Sequence, residues 1–185
     1  RQSQAQSPDD DAASPWDEFR RRMPVSEKWA YFDHAAVAPI SGPAAEAIRQ
    51  WAQSAATDGE VHWAAWNRRL EEVRRLSARL FGAAADEIAL VRNTTEGIGL
   101  VAEGYPWQQG DNVVLFEREF PSNLYPWMNL QSRGVDVRWV PTDNERVQLE
   151  DVERLCDGRT RIVSVSWVGY ATGWRNDLDR LVEIA

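Results

Sequence analysis

Two short stretches hold the residue types best suited to chemistry. Asn93-Thr94-Thr95-Glu96-Gly97 stands where the apolar run of residues 87–92 gives way to a helical pattern. A helix start presents unpaired N–H groups and a partial positive charge, and threonine hydroxyls beside them complete a cradle for a phosphate dianion. The same residues would serve equally as a threonine cap with no ligand. The second stretch, Glu119-Phe120-Pro121-Ser122-Asn123-Leu124-Tyr125-Pro126-Trp127, follows the next apolar run and opens the next helix. An aromatic ring there can lie against a flat heterocycle, with Pro121 fixing the entry into the helix. Read purely as packing, Phe120 is core and Ser122 a cap.

A rival pattern overlaps the first stretch. Gly97-Ile98-Gly99-Leu100-Val101-Ala102 satisfies a loose G-x-G-x-x-A form, and Glu117 stands at the end of the next apolar run, as in a dinucleotide-binding fingerprint. The offset is wrong, because the first glycine belongs in the tight turn directly after the strand and here residues 92–96 intervene. Gly97 and Gly99 are therefore read as close-packing positions within a helix. His34 and His62, the only two histidines, are too far apart in sequence to support a zinc site, and no metal is expected. Cys156, the single cysteine, is read as a small hydrophobe in a helix near 148–157.

The elements that must position these groups follow from hydrophobic periodicity. Residues 1–15 are polar, with an acidic run at Asp9 to Asp11, and are expected to be a disordered tail. An N-terminal segment over 16–60 should contain an opening strand from Tyr31 and a helix from Pro43 to about Ala56, stopped at Asp58-Gly59. Over 62–81, Trp66, Leu70, Val73, Leu76 and Leu80 recur at three- and four-residue steps and predict a helix with one apolar face. The remaining domain, 61–185, continues with strands near 87–92, 112–117, 135–140 and 161–167. Helices near 95–104, 122–133, 148–156 and 177–185 lie between and after them. Apolar strands separated by helix-length connections imply an α/β fold with a mainly parallel sheet covered on both faces, with ligands at the strands' carboxyl ends.

Bulk properties narrow the partners. A net charge of −8 without a basic face argues against nucleic acid and anionic membrane. No apolar stretch reaches the roughly 18 residues needed to span a bilayer, so a cytoplasmic location is expected. The chain opens on Arg1 rather than Met and is expected to be a processed, trimmed or partial product. Ten tryptophans should be mostly core or interface residues.

Four segments together resemble the class V aminotransferase family, the fold-type I enzymes dependent on pyridoxal 5′-phosphate (PLP) that include cysteine desulfurases, kynureninases and isopenicillin N epimerase-like proteins. YFDHAAVAP resembles the family's opening strand and turn, and NTTEGIGLVA its phosphate-binding segment. GDNVVLFEREFPSNLYPW resembles its ring-stacking segment, and VSWVGYATGWRNDL the strand and Thr-Gly turn that follow. The resemblance implies a three-layer α-β-α fold, the incomplete large domain of a fold-type I PLP-dependent transferase. By the same resemblance, Thr95 and the backbone of Thr94 hold the cofactor phosphate and Phe120 stacks on its ring. His34, Ala35 and Ala36 would line the substrate side, and the contact to the cofactor's phenolic oxygen is unassigned.

An amino-acid substrate, a homodimer with Trp63 and Trp66 at its interface, and transamination, Cα–Cβ or β-elimination, or epimerisation are implied likewise. Desulfurases carry a histidine at the stacking position, whereas Phe120 cannot move a proton, which points away from cysteine desulfuration. Of 21 basic residues only Lys28 is a lysine, and it precedes the opening strand. The family's imine-forming lysine belongs to a later strand, so the chain is expected to be truncated and inactive alone. Two further readings remain open: a non-catalytic binding or assembly module with an exposed sheet edge, and an NAD-binding Rossmann domain.

Overall fold

The computed structural model describes residues 14–144 and 146–185. The tail expected over 1–15 thus falls outside the described residues as far as position 13. The chain forms two compact units, Arg1–Ile88 and Ala89–Ala185.

In the first unit, Ser14 opens helix α1 (Pro15–Arg21) by accepting the Trp16 N–H at 3.3 Å. Helix α2 (Gly42–Asp58) is capped by Ser41, which accepts the Ala44 N–H at 3.3 Å, and Pro43 occupies its first turn. Gly59, at φ 59°, ends it. Helix α3 (Trp63–Phe81) ends on Gly82 in the left-handed conformation, φ 67°, which glycine adopts without a Cβ clash. Trp51 of α2 meets Trp66 of α3 edge to face, ring centroids 6.2 Å apart. The predicted opening strand from Tyr31 is not formed. Instead, residues 34–36 make a turn, and the Tyr31 hydroxyl spans it by donating to the Val37 carbonyl at 2.7 Å. The described residues of this unit contain no strand, so the segment has no ladder partner to hold it extended.

At the end of the first unit a single 3₁₀ turn, Ala85–Glu87, leads into extended but unpaired backbone at Ile88. The strand expected over 87–92 is thus also absent where the second unit begins. Helix α4 (Thr94–Gly104) is followed by strand β1 (Asn112–Phe116), helix α5 (Tyr125–Met128) and strand β2 (Asp136–Val140). Helix α6 (Leu149–Leu155), strand β3 (Thr160–Ser164) and helix α7 (Leu178–Ile184) complete it. The helix predicted over 122–133 is divided into 3₁₀ turns at 121–123 and 129–133 around α5; Pro126, with no N–H to donate back to residue 122, accounts for the first of these breaks.

The sheet order is β2-β1-β3, parallel throughout. Every residue of β1 is buried, and its side chains alternate between two cores. Val113 and Leu115 join Ala102, Trp127, Leu130, Val135 and Val137 beneath α4 and α5. Val114 and Phe116 join Val140, Val152 and Leu181 beneath α6 and α7. The result is the three-layer α-β-α arrangement expected. Trp127 is buried as a core tryptophan, whereas Trp63 and Trp167 are more than half exposed, so of the core or interface roles expected of the tryptophans these two do not fill the first within this chain. Among the described residues, no helix is long and apolar enough to cross a membrane.

Candidate functional site

The carboxyl rim of the sheet gathers the groups singled out from the sequence. Asn93 caps α4: its Oδ1 accepts the Glu96 N–H at 2.9 Å. Among the described residues, the N–H groups of Thr94 and Thr95, and both hydroxyls, take no other hydrogen-bond partner. These are orphan donors of the first turn, facing solvent on exposed residues and carrying the positive end of the helix dipole. Glu96 would oppose an anion here, but Arg92 holds it. The guanidinium donates to its carboxylate at 2.9 and 3.1 Å and the Arg92 N–H at 2.6 Å, and these contacts lower its pKa below the ordinary carboxylate value.

Helix α4 connects through residues 105–111 to the amino end of β1, so it runs against the strand and its N-terminus lies toward the carboxyl rim. Consistent with this, α4 packs on the turn Pro121–Asn123 that follows Phe120. Thr94, Thr95 and Phe120 therefore belong to touching elements on one rim. Phe120 is half-exposed rather than core, and its ring meets Tyr170 edge to face at 5.2 Å. Gly97 would bring a Cβ to 3.5 Å of Val91, but nothing lies within 4 Å of Gly99, so the close-packing role expected of Gly99 is not found. Both glycines lie inside α4, and the tight glycine turn of a dinucleotide fingerprint is not formed.

Two residues that the sequence reading passed over frame the aromatic. Glu119 is 5% exposed and Asn123 is 7% exposed. Glu119 accepts the Ser166 N–H at 2.5 Å and the Ser166 hydroxyl at 2.6 Å. Asn123 Oδ1 accepts the Ser164 hydroxyl at 2.5 Å and the Trp127 indole N–H at 3.2 Å. The sequence separation of these pairs, 47 and 41 residues for the two serines, left no local signal for them. The cavity behind the rim, lined by residues including Phe116, Glu119, Thr142 and Asn176, has about 20 Å³, room for about one water. A flat heterocycle does not fit inside it, so a ring would lie on the open face of Phe120.

In the first unit, His34 lies in the 34–36 turn with Ala35 and Ala36, its ring edge to face with Tyr31 at 5.1 Å. It also lines an open cleft of about 1090 Å³ walled by Trp16, Phe19, Trp29 and Phe32. Cys156 closes α6 beside the second core, and burial raises its thiol pKa.

The Aminotransferase class-V family matches residues 30–185. A probable cysteine desulfurase of Methanothermobacter thermautotrophicus is 33% identical over 91% of this chain and 44% of its own length. A cysteine desulfurase of Dickeya dadantii is 38% identical over 63% of this chain and 30% of its own. Among solved structures, the apo cysteine desulfurase of Thermococcus onnurineus superposes with a TM-score of 0.79 at 28% identity, covering 91% of this chain and 44% of that one. The cysteine desulfurase CsdA of Escherichia coli gives 0.77 at 28%, over 91% and 45%. The chain thus spans under half the length of these relatives. With a match over most of its residues and the same three-layer fold, it belongs to the class-V aminotransferase family.

Proposed function

We propose that this chain is the cofactor-binding part of a PLP-dependent enzyme that acts on an amino acid. The observation that carries the reading is the pairing, on one rim, of two uncapped amides at the start of α4 with a half-exposed phenylalanine on the element α4 touches. The donor set fits the cofactor's charge and shape. The N–H groups of Thr94 and Thr95, with the Thr95 hydroxyl, are hydrogen-bond donors at a positive helix end and suit a phosphate dianion. Phe120 offers an apolar face to a pyridine ring and brings no competing charge. When bound, PLP supplies an electron sink for a bond breaking at the substrate's Cα. The chain's own part is to grip the phosphate, fix the plane of the ring and keep Glu96 neutralised by Arg92 beside the phosphate.

His34, Ala35 and Ala36 line the substrate side, and the working enzyme is a cytoplasmic homodimer. Residues 1–185 by themselves turn over no amino acid, because Lys28 precedes all four family-like segments and is not the lysine that anchors the cofactor. Within the family, Phe120 favours a reaction whose proton transfers do not use the stacking residue, such as transamination, elimination or epimerisation. Cysteine desulfuration is the second reading, favoured by the names of the relatives.

Calorimetric titration with pyridoxamine 5′-phosphate, which has no aldehyde to react with Lys28, tests the binding. The Thr95→Val substitution should weaken affinity about 10- to 100-fold, the loss of a hydrogen bond to a charged group. Affinity unchanged by Thr95→Val would place the phosphate elsewhere and refute the assignment.

A further inference from the structure

Glu119 is a buried carboxylate with no part in the binding just described, yet it immediately precedes Phe120. Its two oxygens are both taken by Ser166, one by the N–H at 2.5 Å and one by the hydroxyl at 2.6 Å. Ser166 follows β3, so this double contact joins the loop leaving β1 to the loop leaving β3. The second loop is itself tied down. Asn176, 9% exposed, donates its side-chain N–H to the Ser166 carbonyl at 2.8 Å and its backbone N–H to the Trp167 carbonyl at 2.8 Å. Gly169 and Trp174 close the loop at 2.9 Å, N–H to carbonyl. Tyr170 projects from this loop and meets Phe120 edge to face.

A buried carboxylate is costly unless fully hydrogen-bonded, and an aliphatic side chain packed at the same position would need no such partners. Among the described residues no arginine or lysine pairs with Glu119; its partners are the N–H and hydroxyl of one serine. Such bidentate, charge-assisted contacts fix geometry more than neutral ones do. Meanwhile Phe120 and Tyr170 are 50% and 61% exposed, and two half-solvated rings hold no fixed angle by their own contact.

We propose that Glu119 is a positioning residue: by gripping Ser166 it locks the Phe120 and Tyr170 rings into a rigid aromatic corner against which the cofactor ring is seated. The proposal rests on the PLP reading given above. It assigns Glu119 no proton transfer and no contact with the cofactor.

The test compares Glu119→Ala, Glu119→Gln, Ser166→Ala and the unsubstituted chain for pyridoxamine 5′-phosphate affinity and for the circular dichroism induced in the bound ring's absorption band. Thermal melting serves as the folding control. Glu119→Ala should weaken binding about tenfold and reduce the induced band, since a loosened plate no longer imposes one orientation. Ser166→Ala, which keeps the N–H contact and so keeps the fold, should give a smaller loss in the same direction. Glu119→Gln, able to accept the N–H and to donate to the serine hydroxyl, should restore most of both signals. Folded Glu119→Ala and Ser166→Ala with unchanged affinity and an unchanged band would overturn the clamp while leaving the cofactor reading standing. An unsubstituted chain that binds nothing would overturn both.

Discussion

The two rims of the sheet are built to opposite specifications. At the amino rim the polar groups satisfy one another. Asp157 receives the Asn112 side-chain N–H at 3.0 Å and the Arg159 N–H at 2.8 Å, and pairs with Arg138 at 2.7 Å. Thr160 accepts the Asp157 N–H at 2.9 Å and donates its hydroxyl to Asn112 at 2.8 Å, while Asp111 pairs with Arg161 at 3.0 Å. All three strands are stapled there. At the carboxyl rim, by contrast, two helix amides stay uncapped and two aromatic rings stay half in water. The difference teaches where stability and function are divided: one rim commits its polar groups to holding the strands in register, whereas the other, beside its Glu119–Ser166 and Asn123–Ser164 contacts, leaves helix donors and ring faces open to a ligand.

Substitutions should separate the two. The largest effect on stability belongs to Asn112→Leu, which removes a fully buried residue and strands its partners. We expect a loss of about 2–3 kcal/mol in urea unfolding, with pyridoxamine 5′-phosphate affinity of the folded protein unchanged. Phe120→Ala should do the reverse, costing less than about 1 kcal/mol of stability because half the ring is already exposed, while calorimetry shows ligand affinity falling about tenfold. Equal losses in both properties for either variant would erase the contrast.

A smaller effect is expected from pH. Hydrogen bonding from Arg138, then from the Arg159 N–H, holds the Asp157 pKa at about 2, below its ordinary 3.8. A depressed folded-state value means that the contribution is complete above about pH 4 and is lost as pH falls toward 2. Asp157→Asn should therefore flatten the stability profile in that window and leave the profile above pH 5 parallel to the unsubstituted protein's. The smallest effect concerns Cys156, whose thiol burial pushes upward in pKa. Its alkylation by iodoacetamide should run several-fold slower than that of a free thiol at pH 8 and speed up on unfolding.

Much of this was legible in the sequence wherever a residue acts on its near neighbours. Strand β1 declares itself because a run apolar on both faces, Val113 to Phe116, needs cover on both sides, and the strands around Val137 and Ile162 do so through short runs of β-branched and aromatic residues. Pro43, Gly59 and Gly82 mark helix ends through backbone geometry alone. Strand pairing is not local, so Tyr31 and Ile88 lie in segments that read as strands yet stay without a ladder. The stripe on α3 shows the same limit, for Leu70 and Leu80 keep an amphipathic spacing yet are 49% and 80% exposed in their own unit. Within the candidate site, Thr94, Thr95 and Phe120 were visible as types at motif positions, and the resemblance gave them roles. The roles of Glu119 and Tyr170 were not, because their partners Ser166 and Phe120 lie tens of residues away and nothing in the chain's local pattern announces the meeting.

The central claim is that the carboxyl rim grips a phosphate at Thr94 and Thr95 and a ring at Phe120, and a crystal structure of the chain soaked with pyridoxamine 5′-phosphate tests it most directly. The account predicts density with the phosphate on the amides that open α4 and the pyridine ring over Phe120. Density confined to the cleft beside His34, or to the amino rim near Asp157, would contradict it.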